Sequence, residues 1–569
     1  MPDTSTRRAE GVQRLVLDEI GVHPWRDGRS APSRRRVFGR RVFGLLTLAG
    51  LVWALHGAGL GRAPWVNPDG WPQLRAFLVA AASPETSPAF LRIVAEAALV
   101  TVGYAVLGTA LALALGTVGA FAVSQSFWRG ASRGARRGGW LTSRAVLAVP
   151  RGLHEAVWAL LLVNILGLDP LVAIIAIGLP YGAITAKVFA DLLDEVPRAP
   201  YEALLASGSG RGQALLLGLL PLAALDLLSY AFYRLECSVR SAVVLGIVGA
   251  GGLGFQLDLS FAALRYGEMW TVIAALVLLC ATADLAGSTV RRRLSQPRPR
   301  TRWSASGRPL PARDPVLPLA VSVAVALGVW SWGYLQVQPA TLWSERSVQR
   351  LQQVAALGWP PETDWSSVTQ LVRLSVQTFQ MSLLAAILAA GAGLALSLVA
   401  ARAPSAGWAR RGAGLLARSV LLLGRAVPPP VWALLVLFVL YPGLLAGAVA
   451  LAAYNAGVLG RLMAEAQESL PNEPTAALQA SGAGPGARWL YAVLPRLASK
   501  DLAYGLYRWE VATRETVVVG LVGAGGLGQL LAFQTAGFDW PAVTATLVAL
   551  VALTLVVDLL STMARRACR

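Results

Sequence analysis

Long apolar runs separated by Pro-, Gly- and Arg-containing connections set the pattern of this chain. The runs lie at roughly 43–60, 94–124, 141–166, 169–190, 222–247 and 269–289, and again at roughly 317–336, 376–400, 415–440, 443–465, 496–521 and 541–562. Each is near the ~20 residues an α-helix needs to cross a bilayer core. The pattern predicts an all-α membrane protein of about 12 transmembrane helices in two six-helix halves. The stretch 61–93, with Pro64, Pro68, Pro72, Pro84 and Pro88, reads as a long loop on the far side of the membrane.

The two halves repeat one another. Tyr233–Gly254 reads YRLECSVRSAVVLGIVGAGGLG and Tyr507–Gly528 reads YRWEVATRETVVVGLVGAGGLG, with 14 of 22 positions identical at an offset of 274. The register holds without a gap elsewhere: Arg151 with Arg425, Trp158 with Trp432, Lys187 with Arg461, Asp191 with Glu465, Pro197 with Pro471, Asp284 with Asp558 and Arg291 with Arg565. Upstream the match weakens, which predicts a small length change near 125–143. Self-similarity at this period means two like units in one polypeptide. The boundaries drawn from it are a basic tail at 1–40, a first unit at 41–293, a Pro- and Arg-rich linker at 294–316 and a second unit at 317–569. An even number of spans per unit gives both the same orientation, so the repeats are read as parallel, related by an axis along the membrane normal.

Composition agrees with the pattern. Hydrophobic residues make up 55% of the chain and charged residues 14%, against about 25% charged in soluble domains. The net charge of +19 raises nucleic acid as a partner, but no basic patch with interleaved aromatics stands outside the apolar runs. The arginines flank those runs instead. Arg129, Arg133, Arg136 and Arg137 crowd the second connection, Arg198 and Arg211 lie in the fourth, and Arg291–Arg293 follow the sixth span; Arg402, Arg410, Arg411, Arg565 and Arg566 repeat the pattern. Positive charge at alternate connections places them, with both termini, on the cytoplasmic side, in contact with anionic lipid. Cys237, Cys280 and Cys568, and His23, His56 and His154, are too scattered for a disulfide framework or a metal site. The first run resembles a signal sequence, but its counterpart Leu317–Tyr334 lies deep in the chain, so both are read as retained helices.

The fourth connection carries the most specific signal. Glu202–Pro221 reads EALLASGSGRGQALLLGLLP. It resembles the EAA loop of ABC-importer permeases: Glu-Ala-Ala, three residues, Gly, nine residues, Ile, one residue, Leu-Pro. Glu202, Ala203, Gly208, Leu220 and Pro221 agree in register, and Leu204 and Gly218 depart. The second copy keeps Ala477, Gly482, Leu494 and Pro495, with Ala476 in place of the family Glu and Ala492 in place of the Ile. The Tyr-Arg-x-Glu element, GAGGLG, and the VWALL of Val157–Leu161 and Val431–Leu435 narrow the resemblance to phosphonate-type importer permeases. It covers nearly all of both halves and implies two permease units fused in tandem, with the type I ABC importer permease fold. It also implies that each loop forms a short coupling helix docking an ABC ATPase subunit, two copies in all. A periplasmic or lipid-anchored phosphonate-binding protein delivers cargo, and ATP with Mg belongs to the partner. No GxxxxGK[ST] sequence occurs, so the chain is expected to be a permease in the bacterial inner membrane and not itself an enzyme. Phosphonate, phosphite and phosphate are not separated by these residues.

Charged residues also occur inside the fifth spans: Arg234, Glu236 and Arg240, then Arg508, Glu510, Arg514 and Glu515. A charge at mid-membrane costs about 2.5–3.5 kcal/mol even on insertion scales, so these residues are expected to face a bundle interior or an aqueous path. Glu236 with Arg240, and Glu510 with Arg514, are spaced to pair on one helix face. Two readings stand side by side: the charges brace the bundle, or the guanidinium groups line the path of a phosphorus oxyanion. Gly249, Gly251, Gly252 and Gly254, with Gly523, Gly525, Gly526 and Gly528, satisfy GxGxxG but lack the strand and helix of a dinucleotide site, so close packing or a far-side turn is expected. A rival reading is an ion-coupled secondary transporter using Glu236, Glu510, Asp284 and Asp558; two coupling-type loops count against it.

Overall fold

The computed structural model describes residues 34–61, 64–128, 133–295, 302–303, 309–310, 316–402 and 407–568. Most of the basic tail, Arg129 and most of the linker lie outside the described residues. Among the described residues, apart from a two-residue strand pair, Arg302–Trp303 with Pro309–Leu310, the regular structure is helical. In chain order the principal helices are α1 (Arg34–Gly57), α2 (Gly70–Ala80), α3 (Pro88–Val123), α4 (Arg133–Gly152), α5 (Glu155–Leu166), α6 (Pro170–Glu195), α7 (Ala199–Ala206), α8 (Leu220–Leu245), α9 (Gly252–Ala262), α10 (Tyr266–Ser295), α11 (Val316–Tyr334), α12 (Trp365–Ala400), α13 (Trp408–Ala426), α14 (Pro429–Val436), α15 (Leu444–Glu468), α16 (Glu473–Ala480), α17 (Leu494–Val519), α18 (Gly526–Ala536) and α19 (Trp540–Cys568).

Among the described residues, eight helices are long and apolar enough to cross a membrane, three bent pairs would each make a further span, and Gly44–Gly57 is a shorter apolar helix. Together they account for the twelve apolar runs. Both third spans, read from sequence as single helices, are broken. α4 turns into α5 through 83°, and α13 turns into α14 through 100°. The cause of the second break is local. Pro428, Pro429 and Pro430 follow Val427, and the residue before a proline is pushed out of the helical region; Val427 sits at φ −84°, ψ 121°. In the first copy the restart is capped, with the His154 imidazole Nδ1 accepting from the Ala156 N–H at 3.2 Å. The loop at 61–93 also holds a helix, α2, which periodicity in so short and proline-rich a stretch did not reveal.

Contacts divide the chain into two compact units, and the division is not the one the repeat boundaries give. The described residues of 85–351 form unit 1. The described residues of 20–84 join 352–569 in unit 2. The first helix of each repeat therefore packs with the helices of the other repeat. In unit 2, the Gln380 amide donates to the Trp53 carbonyl at 3.2 Å, Trp53 meets Phe379 edge to face at 5.9 Å, and Ala54 is fully buried among Met381, Leu384 and Ala385. The strand-like stretch after α1 continues the attachment: Asn67 N–H donates to the Val439 carbonyl and Tyr441 N–H to the Trp65 carbonyl. In unit 1, Leu335 just after α11 lies against Gly103 of α3, where an added Cβ would come within 2.8 Å of it.

Within unit 1 the central pair is α3 with α6. Small residues let the backbones approach: a Cβ on Gly108 would fall 2.8 Å from Ile177, and one on Gly116 would fall 2.5 Å from Thr185. This is how helices associate where lipid removes the hydrophobic drive. Thr101 on α3 and Thr378 on α12 play the same part 277 positions apart, whereas α6 and α15 start 274 apart. The length change predicted near 125–143 is thus three residues.

Candidate functional site

The sequence directs attention to the connection after α6 and its counterpart after α15. Pro200 opens α7 and Pro474 opens α16, where the missing N–H costs nothing. Each short helix is eight residues long and ends at a glycine in the left-handed region, Gly208 at φ +88° and Gly482 at φ +81°. Nothing lies within 4 Å of the Cβ that either glycine would carry, so backbone conformation, not crowding, selects glycine there. A single π-helical turn then leads into α8 at Leu220-Pro221 and into α17 at Leu494-Pro495. Glu202 and Ala203 of α7 are exposed, as are Ala476 and Ala477 of α16.

The first copy is anchored by a residue the sequence reading passed over. Tyr201 is 1% exposed, and its hydroxyl donates to the Ser126 carbonyl at 2.9 Å. The turn holding Ser126 is itself capped by Asp194, which accepts from Ser124 Oγ and from the N–H groups of Gln125 and Ser126 at 2.8–2.9 Å. α7 consequently lies against the π turn: a Cβ on Gly218 would sit 3.0 Å from Tyr201 N. This explains why Gly218 departs from the family Ile. The second copy has Thr475 for Tyr201 and can carry Ala492 in place of Gly218.

The fifth-span charges fall into two kinds of cluster. Glu236 pairs with Arg240 at 3.5 Å and more closely with Arg291 of α10 at 3.0 Å, with Asp284 beside it. Glu510 pairs with Arg565 of α19 at 2.8 Å, with Asp558 and Ser561 nearby. The principal partner in both copies thus comes from the last span, and the i,i+4 spacing describes a secondary contact in the first copy. Arg291 and Arg565 were visible as register-matched residues, but nothing local links them to a glutamate 55 positions earlier. The second kind of cluster surrounds Arg508. Its Nε donates to Asn455 Oδ1 at 2.6 Å, its Nη2 pairs with Glu515 Oε1 at 3.2 Å, and Asn455 Nδ2 donates to Glu515 Oε2 at 3.1 Å. In the first copy Arg234 is 7% exposed and packs on tyrosine rings, its centre 4.6 Å from the Tyr181 ring and 5.0 Å from that of Tyr230. Tyr181, Asn455 and Glu155, none of them singled out from sequence, complete these clusters.

The glycine-rich stretches break the helix after α8 and after α17. Gly249, Gly251 and Gly252 have φ of 102°, 90° and 78°, and Gly523, Gly525 and Gly526 have 102°, 86° and 74°. Thr101 Oγ1 accepts from Leu253 N–H at 2.9 Å, and Thr378 Oγ1 accepts from Leu527 N–H at 3.0 Å, so a neighbouring helix caps each restart. Gly254 and Gly528 instead allow close approach, since an added Cβ would lie 1.9 Å from the Val243 carbonyl oxygen and 2.3 Å from that of Val517. Among the described residues no cluster of His, Cys, Asp and Glu is arranged to hold a metal ion.

Two comparisons with known proteins bear on this architecture. The family described as "Binding-protein-dependent transport system inner membrane component" matches residues 134–296 and again 393–569. The phosphate-import permease protein PhnE of Mycolicibacterium smegmatis is 30% identical over 406 residues, 70% of this chain and 72% of that protein. The phosphite transport system permease protein PtxC of Stutzerimonas stutzeri is 30% identical over 150 residues, 26% of this chain and 54% of its own length. A solved structure of the MetNI methionine ABC transporter aligns over 36% of this chain and all of its own chain at 21% identity, with a TM-score of 0.34, too low to bear on the fold. The double family match and the extent of the first relative show the family: this chain is a multi-pass, helical member of the binding-protein-dependent transport system inner membrane component family, carrying that permease domain twice.

Proposed function

We propose that the chain supplies two permease units to the transmembrane part of an ABC importer for a phosphorus oxyanion, with phosphonate, phosphite and phosphate as the cargo class. The names of the phosphate-import and phosphite-transport relatives support that class. Two copies of a separate ATPase subunit supply the ATP and Mg chemistry, and a binding protein delivers cargo from outside. Both termini and both short helices, α7 and α16, face the cytoplasm. ATP-driven closure of the ATPase pair would pull on the two loops and switch the bundles between two states. An ion-coupled carrier is not favoured, because the carboxylates it would need, Glu236 and Glu510, are already ion-paired within their units.

The observation that carries the reading is the paired loop geometry: an eight-residue helix with an exposed face, stopped by a glycine at positive φ, in the same register of both repeats. Such a helix seats in a groove through one face. The test is co-purification with a candidate ATPase. Gly208→Trp and Gly482→Trp place a bulky side chain where φ is positive and the surface is open. At unchanged membrane abundance both are expected to lose ATPase retention. Full retention by both variants would remove the docking role. Of the fifth-span charges, Glu236, Glu510 and Arg508 are held by partners of their own unit and brace it.

A further inference from the structure

Arg234 and Arg508 occupy the same register in the two repeats, yet their surroundings differ in charge. Arg508 is neutralised on the spot: Glu515, seven residues on, takes Nη2, and Asn455 bridges Nε to the same carboxylate. The positions equivalent to Glu515 and Asn455 are Ser241 and Tyr181, neither of which carries a negative charge. Arg234 Nη2 donates to the Tyr230 hydroxyl, while Nε has no hydrogen-bond partner. Three tyrosine faces surround the guanidinium, with ring centres of Tyr181, Tyr230 and Tyr233 at 4.6, 5.0 and 5.9 Å. The carboxylate reached through this network is Glu155, and it is committed elsewhere. Its Oε1 accepts from Ser241 Oγ at 2.6 Å, Ser241 Oγ meets the Tyr181 hydroxyl at 2.6 Å, and Oε2 lies 3.5 Å from His154 Nδ1. Two hydroxyl groups therefore stand between Glu155 and the cation.

A ring face attracts a cation without supplying a counter-charge. A buried guanidinium with an unused N–H is a site short of an anion, because donors aligned in a planar fork are satisfied best by two oxygens of one oxyanion. In unit 2 the Glu515 carboxylate fills that place permanently. In unit 1 no carboxylate takes that place; tyrosine rings and the Tyr181 and Tyr230 hydroxyls surround the guanidinium.

We propose that Arg234, within the Tyr181–Tyr230–Tyr233 cage, is the binding group for a tetrahedral phosphorus oxyanion, and that unit 2 has no equivalent site because Glu515 occupies it. The inference rests on the importer reading and narrows it: two repeats of one ancestry have divided the work, one binding and the other braced.

The test uses the full chain purified in maltoside, a detergent without phosphorus, titrated calorimetrically with inorganic phosphate, phosphite and methylphosphonate. Arg234→Gln is expected to weaken binding of the preferred anion at least tenfold. Arg234→Lys, which keeps the charge and loses the fork, is expected to fall between. The double variant Glu155→Gln with Ser241→Glu moves the carboxylate to the position it holds in unit 2. It is expected to abolish binding while the chain melts no lower than wild type, so loss of folding cannot account for the result. The pair Arg508→Gln with Glu515→Gln is expected to lower the melting temperature and leave affinity within about twofold. Wild-type affinity in Arg234→Gln would overturn the assignment. So would phosphatidylglycerol retained in an Arg234-dependent manner together with phosphate binding that ignores Arg234, since the site would then hold lipid. In cells expressing the chain with its ATPase and binding protein, no uptake of any of the three anions by wild type defeats the importer reading. Uptake by wild type matched by Arg234→Gln at equal abundance defeats only this inference.

Discussion

Glu515→Gln isolates the bracing role of the unit 2 cluster. Arg508 is 9% exposed and Glu515 7%, so neither charge is solvated when its partner is lost. Removing one member of a buried pair costs about 3–5 kcal/mol, much of it the penalty of the stranded charge. Glutamine keeps a carbonyl within reach of Arg508, and Asn455 still accepts from Nε at 2.6 Å, which puts the cost near the lower figure, about 3 kcal/mol. Arg508→Met with Glu515→Leu removes both charges. It leaves Asn455 with its bond to the Leu451 carbonyl at 2.8 Å and an orphaned Oδ1, a loss of roughly 1 kcal/mol. For a cooperative unit of this size each kcal/mol is worth roughly 2–4 °C. The single variant should therefore melt roughly 6–12 °C below wild type and the double variant only a few degrees below, by tryptophan fluorescence of the purified chain. A double variant that melts lower than the single one would refute the reasoning, because the stranded charge would then not be the source of the loss.

Three further expectations follow from the packing. Gly254→Ala and Gly528→Ala drive a methyl group into the Val243 and Val517 carbonyl oxygens, an overpacking cost of about 1–3 kcal/mol, whereas Gly505→Ala, with nothing within 4 Å, should melt at or above the wild-type temperature; equal melting of all three would contradict the close approach. Tyr201→Phe removes the bond to the Ser126 carbonyl, so amide hydrogen exchange in 199–206 should rise while 473–480, which has threonine at that position, stays unchanged; equal change in both segments would count against the anchor. Cysteines at Ala54 and Ala385, two members of the same buried cluster, should crosslink with a short bifunctional reagent in membranes, and no crosslink alongside efficient labelling of each single cysteine would argue against packing of the first helix in unit 2.

The features that sequence conveyed well are those in which a residue acts through its own backbone. The twelve apolar runs became helices because length and hydropathy are local. Gly208 and Gly482 were marked by spacing inside the loop, and each takes positive φ. What sequence concealed depends on who packs against whom. Nothing in 43–60 announces that Trp53 and Ala54 will meet Phe379 and Met381 more than 300 positions later. Glu155 looks like an isolated acid beside an apolar run until Ser241 arrives from another helix. The i,i+4 spacing of Glu510 and Arg514 points within one helix and says nothing of Arg565, which reaches Glu510 from α19. Repeat identity itself hid the difference between Arg234 and Arg508, since the same residue in the same register has a carboxylate partner in only one copy.

The central claim is that these helices are moved by a separate motor gripping two loops. Proteoliposomes containing the chain, its ATPase with ATP in the lumen, and the binding protein outside should accumulate radiolabelled phosphate or phosphonate. Accumulation should cease when ATP is omitted or when Gly208→Trp and Gly482→Trp are combined. Accumulation by the chain alone, without nucleotide or companion proteins and driven by an ion gradient, would contradict the account.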